Sequence, residues 1–212
     1  MTHLGMDTNK DCSKITQNIL DAGFEFVIRY YGDATSKRLS KDEAKTLSDK
    51  RIGLIPVFEN YNNAPQYFSH DIGFDHGTKA FNYAHNTIEQ PTGTVIFFAV
   101  DYDASNEDTK GIISEYFQGV AEAFSQCSAA SGTESTPPVS YNIGVYGSGA
   151  VCEYITTNVT AVTKTWHAMS TMWRSASSPF FTFDITQSSG GTLAGIQYDS
   201  DASDADLFWY TN

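Results

Sequence analysis

The 212-residue chain has little positive charge and no long apolar run. Its 13 lysines and arginines stand against 25 aspartates and glutamates, which gives a net charge of -12. Binding to nucleic acid or to an anionic membrane needs a basic surface. No apolar run approaches the ~20 residues that span a bilayer. We therefore expect no nucleic acid and no membrane as partner, whereas a neutral or cationic polymer is compatible with this charge.

Cysteine is also scarce. Cys12, Cys127 and Cys152 match no metal-ligand spacing, and an odd number makes a poor disulfide framework. The sequence leaves one disulfide between two of them open. The N-terminal segment has neither the basic nor the apolar region of a signal peptide, so the sequence itself does not indicate a compartment.

Apolar segments of strand length alternate with helical patterns along the chain, and a hydrophobic content of 41% supports a folded core. The clearest strand is "VIFFAV" at 95–100, and the longest helical pattern covers 106–127 with Asn106 as its cap. Later strand candidates are 165–169, 180–184 and 193–199. Such alternation is typical of a parallel α/β fold. We predict one domain over residues 1–212, a monomer folded as an irregular (β/α)8 barrel, with an open doubly wound sheet as the alternative.

In such a barrel the site lies where the strands end. The predicted strand ends carry Asp7, Arg29, Glu59, Asp101, Asp103, Tyr146 and Gln197. Asp101 and Asp103 are two apart on an extended chain, so they point to the same side with Cα atoms roughly 6.6 Å apart. Closeness raises the pKa of one of two carboxyls, and glycoside hydrolysis needs such a proton donor beside an anion. The alternative is that both residues start the next helix and face solvent.

Six segments in order resemble a known family. They are "GMDTN", "FVIRYYG", "GLIPVFEN", "VIFFAVDYD", "GVYGSG" and "IQYDSDASDADL". From Gly5 to about Leu207 the chain resembles the glycoside-hydrolase-like domains of the DUF1906 group, which are related to the muramidases of glycoside hydrolase family 25. The resemblance implies a barrel with an acidic groove that binds bacterial cell-wall glycan, a location outside the cell or at the wall, and no cofactor.

The resemblance also implies four catalytic carboxylates. They fall on Asp7, Asp101, Asp103 and Asp206. Asp103 would be the general acid, Asp101 would stabilise the transition state or orient the acetamido group of the substrate, and the other two would tune this pair. Asp103 stands where the muramidases carry Glu, and a catalytic group set back by about 1 Å can cost ~100-fold in rate. The predicted reaction is hydrolysis of a β-1,4 bond in peptidoglycan or a related amino-sugar polymer. The alternative is a glycan-binding domain that has lost catalysis.

Further side chains near the strand ends could bind the substrate. Aromatic rings stack on sugars, although core filling is the alternative for each of them. The predicted set is Arg29, Tyr30, Glu59, Tyr61, Tyr102, Tyr146, Trp166, Gln197 and Tyr198. For Arg29, an ion pair with Glu59 across adjacent strands is an equal alternative. A metal-assisted hydrolase using His70 and His76 is a third hypothesis, but their spacing matches no ligand pattern, so we predict no metal.

Overall fold

The fold is an eight-stranded barrel. In the computed structural model, which describes residues 2–170, 172–174 and 181–211, the strands join in chain order into one closed barrel. They are β1 His3–Asp7, β2 Phe26–Tyr31, β3 Gly53–Phe58, β4 Val95–Ala99, β5 Asn142–Gly147, β6 Val162–His167, β7 Ile185–Leu193 and β8 Ile196–Ser203. The predicted eight-stranded barrel is confirmed, and the alternative of an open sheet is wrong.

The last strand breaks the regular (β/α)8 pattern. Strands β1 to β7 pair in parallel, whereas β8 is antiparallel to both β7 and β1. A tight hairpin joins β7 to β8 through Ala194 and Gly195, whose φ angles of 49° and 86° suit a two-residue loop. The predicted strand at 193–199 therefore contains this turn, and 181–184, the described part of the candidate at 180–184, precedes β7 as non-strand chain.

Helices cover the outside of the barrel. They are α1 Thr16–Asp21, α2 Lys41–Asp49, α3 His70–Tyr83, α4 Asn106–Asp108, α5 Ser114–Ser131 and α6 Gly149–Asn158, with a 3-10 turn at Pro65–Tyr67 and π-helical turns at Ala84–Ile88 and Thr109–Ile113. The long helical pattern predicted from residue 106 is present. Its cap is Ser105 instead of Asn106, because the Ser105 hydroxyl accepts from the Asp108 amide at 3.0 Å. None of the described helices has the length and apolarity of a membrane-spanning helix.

The core has two layers. Residues that point into the barrel, among them Phe26, Ile55 and Phe97, form the inner layer, and a larger layer lies between the strands and the helices. Phe208 closes the lower end of the barrel by stacking on Phe26, with ring centroids 5.7 Å apart. Cys12, Cys127 and Cys152 are free thiols, so no disulfide joins any two of them. Because its lower end is filled, the barrel is accessible to a ligand from its upper end.

Candidate active site at the barrel mouth

Polar side chains replace apolar ones where the parallel strands end. Because strand residues alternate between the two faces, inward positions that are apolar lower in the barrel become polar at its mouth. Together they surround a pocket of about 290 Å³. Its lining includes Asp7, Tyr30, Glu59, Asp101, Tyr146, Trp166, Gln187 and Asp199. The strand β8 contributes Asp199, which lies opposite Asp7 in the antiparallel pair, and Asp201, which lies opposite Gly5.

Asp7 and Asp201 form a buried carboxyl pair. Gln187 Nε2 donates to Asp7 Oδ2 at 2.8 Å, and Trp166 Nε1 donates to Asp201 Oδ1 at 2.8 Å. Asp201 Oδ2 is buried and receives no donor from the part of the chain that the structure describes. Burial raises the pKa of Asp7 to about 7, and burial together with the Asp7 charge raises the pKa of Asp201. A proton shared by the two carboxyls satisfies the oxygen that lacks a donor, and burial disfavours the state in which both are ionised.

Glu59 and Asp101 form the second carboxyl pair. The Asp101 amide donates to Asn62 O at 2.8 Å, which fixes the backbone at the pair. Burial raises the pKa of both carboxyls, and the charge of Asp101 raises that of Glu59 further. The charge of Lys37, whose Nζ lies 3.9 Å from Glu59 Oε1, lowers the pKa of Glu59. Of the two, Glu59 is therefore the carboxyl with the greater tendency to hold a proton beside an ionised Asp101.

Two tyrosines complete the pocket. Tyr146 donates to Gln187 Oε1 at 3.1 Å, so one amide links Tyr146 to Asp7. The Tyr146 ring lies 4.4 Å from the Trp166 ring. Burial raises the pKa of Tyr30 and of Tyr146. Both phenols are therefore neutral. The Tyr30 hydroxyl can donate a hydrogen bond to a ligand, and the Tyr146 hydroxyl, which donates to Gln187, can accept one.

The pocket opens on both sides into larger cavities. A cavity of about 930 Å³ shares Asp7, Tyr30 and Asp199 with it and is also lined by Gln197 and Tyr198 of the β7–β8 hairpin. A cavity of about 810 Å³ shares Glu59 and Asp101. We call the latter the tyrosine cleft; its lining includes Lys37, Glu59, Tyr61, Tyr67, Lys79 and Asp101. The three cavities form one groove across the mouth, which suits a chain-like ligand better than a compact one.

Asp103 lies outside this groove. Its side chain is 40% exposed and accepts from the Arg174 guanidinium at 2.7 Å and from the Arg174 amide at 3.1 Å. The expected same-side placement with Asp101 requires extended chain. Instead β4 ends at Ala99, and the Ala104 amide donates to Tyr102 O at 2.8 Å. This turn directs Asp103 away from the pocket.

Asp206 lies at the other end of the barrel. It is exposed, and one carboxylate oxygen is 2.9 Å from His3 Nε2. Because β8 runs antiparallel, the chain beyond Ser203 leaves at the lower end, far from the mouth. Asp199 and Asp201 are therefore the C-terminal acidic residues at the site. Their alternation in "YDSDAS" has the strand period of two, which is the signal that could have found them; no comparable signal identified Gln187.

Arg29 and Tyr102 also lie away from the groove. Arg29 is buried against Glu43, which accepts at 2.7 Å and 3.0 Å, and it donates to the carbonyl oxygens of Thr8 and Lys37. The ion pair with Glu59 expected as an alternative is thus replaced by one with Glu43. Tyr102 packs against Phe68, with ring centroids 5.7 Å apart. Both side chains are therefore held by contacts within the fold and do not line the groove.

The two histidines singled out from the sequence lie apart from the mouth pocket. His76 on α3 is buried, has Nδ1 3.0 Å from the Tyr116 hydroxyl, and has its pKa lowered to about 4 by burial. His70 Nε2 is 3.3 Å from a carboxylate oxygen of Glu122. Over residues 2–170, 172–174 and 181–211, no three His, Cys, Asp or Glu side chains group in a way that could hold a metal ion.

Comparison with known proteins places this geometry in a family. The family model for Rv2525c-like, glycoside hydrolase-like domains matches residues 17–202. The uncharacterized protein FadG of Bacillus subtilis (strain 168) is 28% identical over an alignment of 155 residues, which covers 68% of this chain and 25% of FadG. The chain thus spans about a quarter of that relative.

Two solved structures share the fold at low identity. The Tat-secreted protein Rv2525c of Mycobacterium tuberculosis superimposes with a TM-score of 0.73 at 16% identity, covering 98% of both chains. The muramidase of Trichobolus zukalii superimposes with a TM-score of 0.55 at 10% identity, covering 97% of this chain and 95% of that one. The barrel is therefore shared with proteins of very different sequence.

Proposed function

We propose that this chain, which belongs to the family of Rv2525c-like, glycoside hydrolase-like domains, hydrolyses peptidoglycan or a related amino-sugar polymer. The observation that carries the proposal is the convergence of Asp7, Glu59, Asp101 and Asp199 on one pocket in the middle of a long groove. Glycoside hydrolysis needs a protonated carboxyl and an ionised one on either side of the scissile bond. The pair Glu59 and Asp101 suits these two roles, because the charge of Asp101 raises the pKa of Glu59.

We assign the proton donor to Glu59 and the stabilising anion to Asp101. Glu59 gives its proton to the leaving oxygen as the glycosidic bond breaks, and Asp101 stabilises the positive charge that develops on the sugar ring. Water then bonds to the anomeric carbon and returns a proton to Glu59. The Asp7–Asp201 pair, when it shares a proton, lowers the negative charge that would otherwise accumulate beside Asp101. Asp103 is not given the acid role because it is paired with Arg174 outside the pocket.

Two observations support a wall glycan as substrate. The groove continues on both sides of the pocket, as a polymer requires, and it is lined by tyrosines that suit sugar rings. The muramidase of Trichobolus zukalii has the same fold. We accordingly place the chain outside the cell or at the cell wall, acting without a cofactor.

The test is the release of reducing sugar from purified peptidoglycan by the wild type, Glu59→Gln, Asp101→Asn and Asp103→Asn. A general acid contributes about 10²–10⁴-fold, so Glu59→Gln should lose activity by that factor. Asp101→Asn should lose activity as well. Asp103→Asn is the matched control and should keep most of it. Loss of activity in Asp103→Asn with a normal rate in Glu59→Gln would return the acid role to Asp103.

The position of Asp103 favours a second candidate, a glycan-binding domain without catalysis. The residue that corresponds to the acid of the muramidases is held by Arg174 away from the groove, while the groove itself remains open. This candidate predicts saturable binding of the wild type to cell walls with no release of reducing ends. Turnover that depends on Glu59 would exclude it.

A further inference from the structure

The tyrosine cleft is the part of the groove whose chemistry differs most from the acidic pocket. It meets the pocket at Glu59 and Asp101, so a polymer with one unit at the carboxyls would place a neighbouring unit in the cleft. None of the catalytic roles assigned above uses its tyrosines or its lysines. The tyrosines and lysines of the cleft therefore have no role in the proposed reaction, and their role must be explained separately.

Tyr61 forms an exposed aromatic platform in the cleft. It is 77% exposed, and its ring stacks on Tyr67 with centroids 5.8 Å apart and an interplanar angle of 25°. Its φ of 64° is in the left-handed region, where a residue other than glycine is strained. A large ring held in solvent by a strained backbone contributes little to folding, and a flat exposed ring suits stacking against a sugar.

The loop that carries Tyr61 is fixed on both sides. Asn60 Oδ1 accepts from the Asp33 amide at 2.9 Å, and Asn60 Nδ2 donates to the Asp33 carboxylate at 2.8 Å. Asn62, the residue after Tyr61, is fully buried, and its carbonyl oxygen accepts from the Asp101 amide. The platform is thus tied directly to the backbone of a pocket carboxylate, which keeps the distance between stacking site and reaction site constant.

The two lysines of the cleft differ in their partners. Lys79 Nζ is 2.9 Å from Asp75 and 3.2 Å from Asp33, so two carboxylates already neutralise it. The Lys37 side chain is 46% exposed, and its Nζ lies 3.9 Å from Glu59; among the described residues it makes no closer ion pair, and its charge also acts on Asp101 across the groove. In a chain with a net charge of -12, such a cation at the groove can bind an anion on the ligand.

We propose that the tyrosine cleft binds a sugar unit next to the scissile bond, with Tyr61 stacking on its ring and Lys37 binding a carboxylate that the polymer carries. The substrate named here, an acidic amino-sugar polymer, rests on the function proposed above. A neutral polymer of the same linkage would use Tyr61 but not Lys37. The lysine thus selects glycans that carry carboxylates.

The test is a calorimetric titration of the full chain at 4 °C with two probes. One is soluble glycan strands from peptidoglycan freed of stem peptides, whose muramic acid units bear a free carboxylate; the other is the neutral oligomer chitohexaose. Tyr61→Ala should weaken both about tenfold, the value of one lost aromatic contact. Lys37→Gln should weaken the acidic strands about tenfold and leave chitohexaose unchanged.

Lys45→Gln on α2 is the matched control, because Lys45 is exposed and pairs with Asp49 away from the groove. It should change neither affinity. Unchanged affinities in Tyr61→Ala, or equal effects of Lys37→Gln on both probes, would overturn the proposal, as would a wild type that binds neither probe. Selective binding without reducing-sugar release would leave the subsite standing and reject hydrolysis. Hydrolysis whose rate is unchanged in Tyr61→Ala and Lys37→Gln would support the proposed activity and reject the subsite.

Discussion

Asp7 and Asp201 lie buried against each other, so ionising both is costly. Both pKa values are raised above those of the unfolded chain. The stability that results is present below pH ~4 and, for Asp7, is lost as the pH rises through about 7. Asp201→Asn should remove this loss. The amide oxygen can still accept from Trp166 and the amide nitrogen can donate to Asp7. At pH 8 the free energy of unfolding should rise on the order of 2 kcal/mol, with little change at pH 4.

Urea unfolding at pH 4, 6 and 8 measures this effect. Asp49→Asn is the control, because it makes the same chemical change at an exposed carboxyl paired with Lys45 and should not alter the pH dependence. If Asp201→Asn lost stability equally at all three pH values, Asp201 would be ionised in the folded protein, with hydrogen bonds to both of its oxygens. The pair would then not share a proton.

Single residues were predictable only where the chain is regular. The end of an apolar strand is visible in the sequence, and Asp7, Glu59 and Asp101 do line the pocket. The position of the Asp103 side chain depends on the chain after the strand. That chain forms a turn, which is closed by the hydrogen bond from the Ala104 amide to Tyr102 O. A count of residues along an extended chain contains no information on such a turn.

At the scale of elements, the Arg29–Glu43 ion pair joins β2 to α2. Glu43 also accepts from the Cys12 amide at 2.9 Å, and Arg29 donates to the carbonyl oxygens of Thr8 and Lys37, which follow β1 and β2. Glu43→Gln leaves the guanidinium buried without a counter-charge. We expect a loss of about 3–5 kcal/mol in the free energy of unfolding, as for other broken buried pairs.

Chemical unfolding of Glu43→Gln beside Glu89→Gln tests this. Glu89 is exposed and pairs with Lys41, and loss of a surface pair should change stability by less than about 1 kcal/mol. A similar small effect in both variants would mean that the neutral amide replaces the carboxylate at Arg29. The pair would then be a packing contact and not an electrostatic one.

Strand direction was beyond prediction. Periodicity indicates which face of a strand is buried, and it is the same whether the strand runs up or down. β7 and β8 are largely polar, so they lack the apolar run typical of a central parallel strand. The assignment of the C-terminal carboxylate to Asp206 came from the family resemblance, and the antiparallel hairpin brings Asp199 and Asp201 to the mouth instead.

At the scale of the whole molecule, the barrel is open at one end and filled at the other. The position of the mouth followed from the apolar segments that end at Asp7, Glu59 and Asp101, whereas the polar strands β7 and β8 have no such segment. The filling of the lower end did not, because Phe208 comes from the C-terminal segment and packs over β3 at Gly53. This contact joins residues 155 positions apart along the chain, and no local pattern in either segment indicates it.

Gly53 should therefore be intolerant of a side chain. A Cβ added there would lie 2.3 Å from Phe208 Cδ2 and 2.8 Å from Phe208 Cβ, so movement of the ring alone cannot relieve the overlap. We expect Gly53→Ala to lower the free energy of unfolding by about 1–3 kcal/mol, as overpacking does. Gly111→Ala is the matched control, because a Cβ at that position meets no atom within 4 Å.

A double-mutant cycle identifies the cause. In a Phe208→Ala background the overlap is largely removed, so Gly53→Ala should cost less than in the wild type by more than ~0.5 kcal/mol, which is beyond the additivity of independent sites. Thermal or urea unfolding of the four proteins gives this difference. Because the contact lies at the end opposite Asp7 and Asp101, Gly53→Ala protein that is still folded should bind glycan as the wild type does. An additive cycle would show that overlap with Phe208 is not the cause of the lost stability. A loss of glycan binding in folded Gly53→Ala protein would show that the filled end and the mouth do not act as separate parts of the barrel.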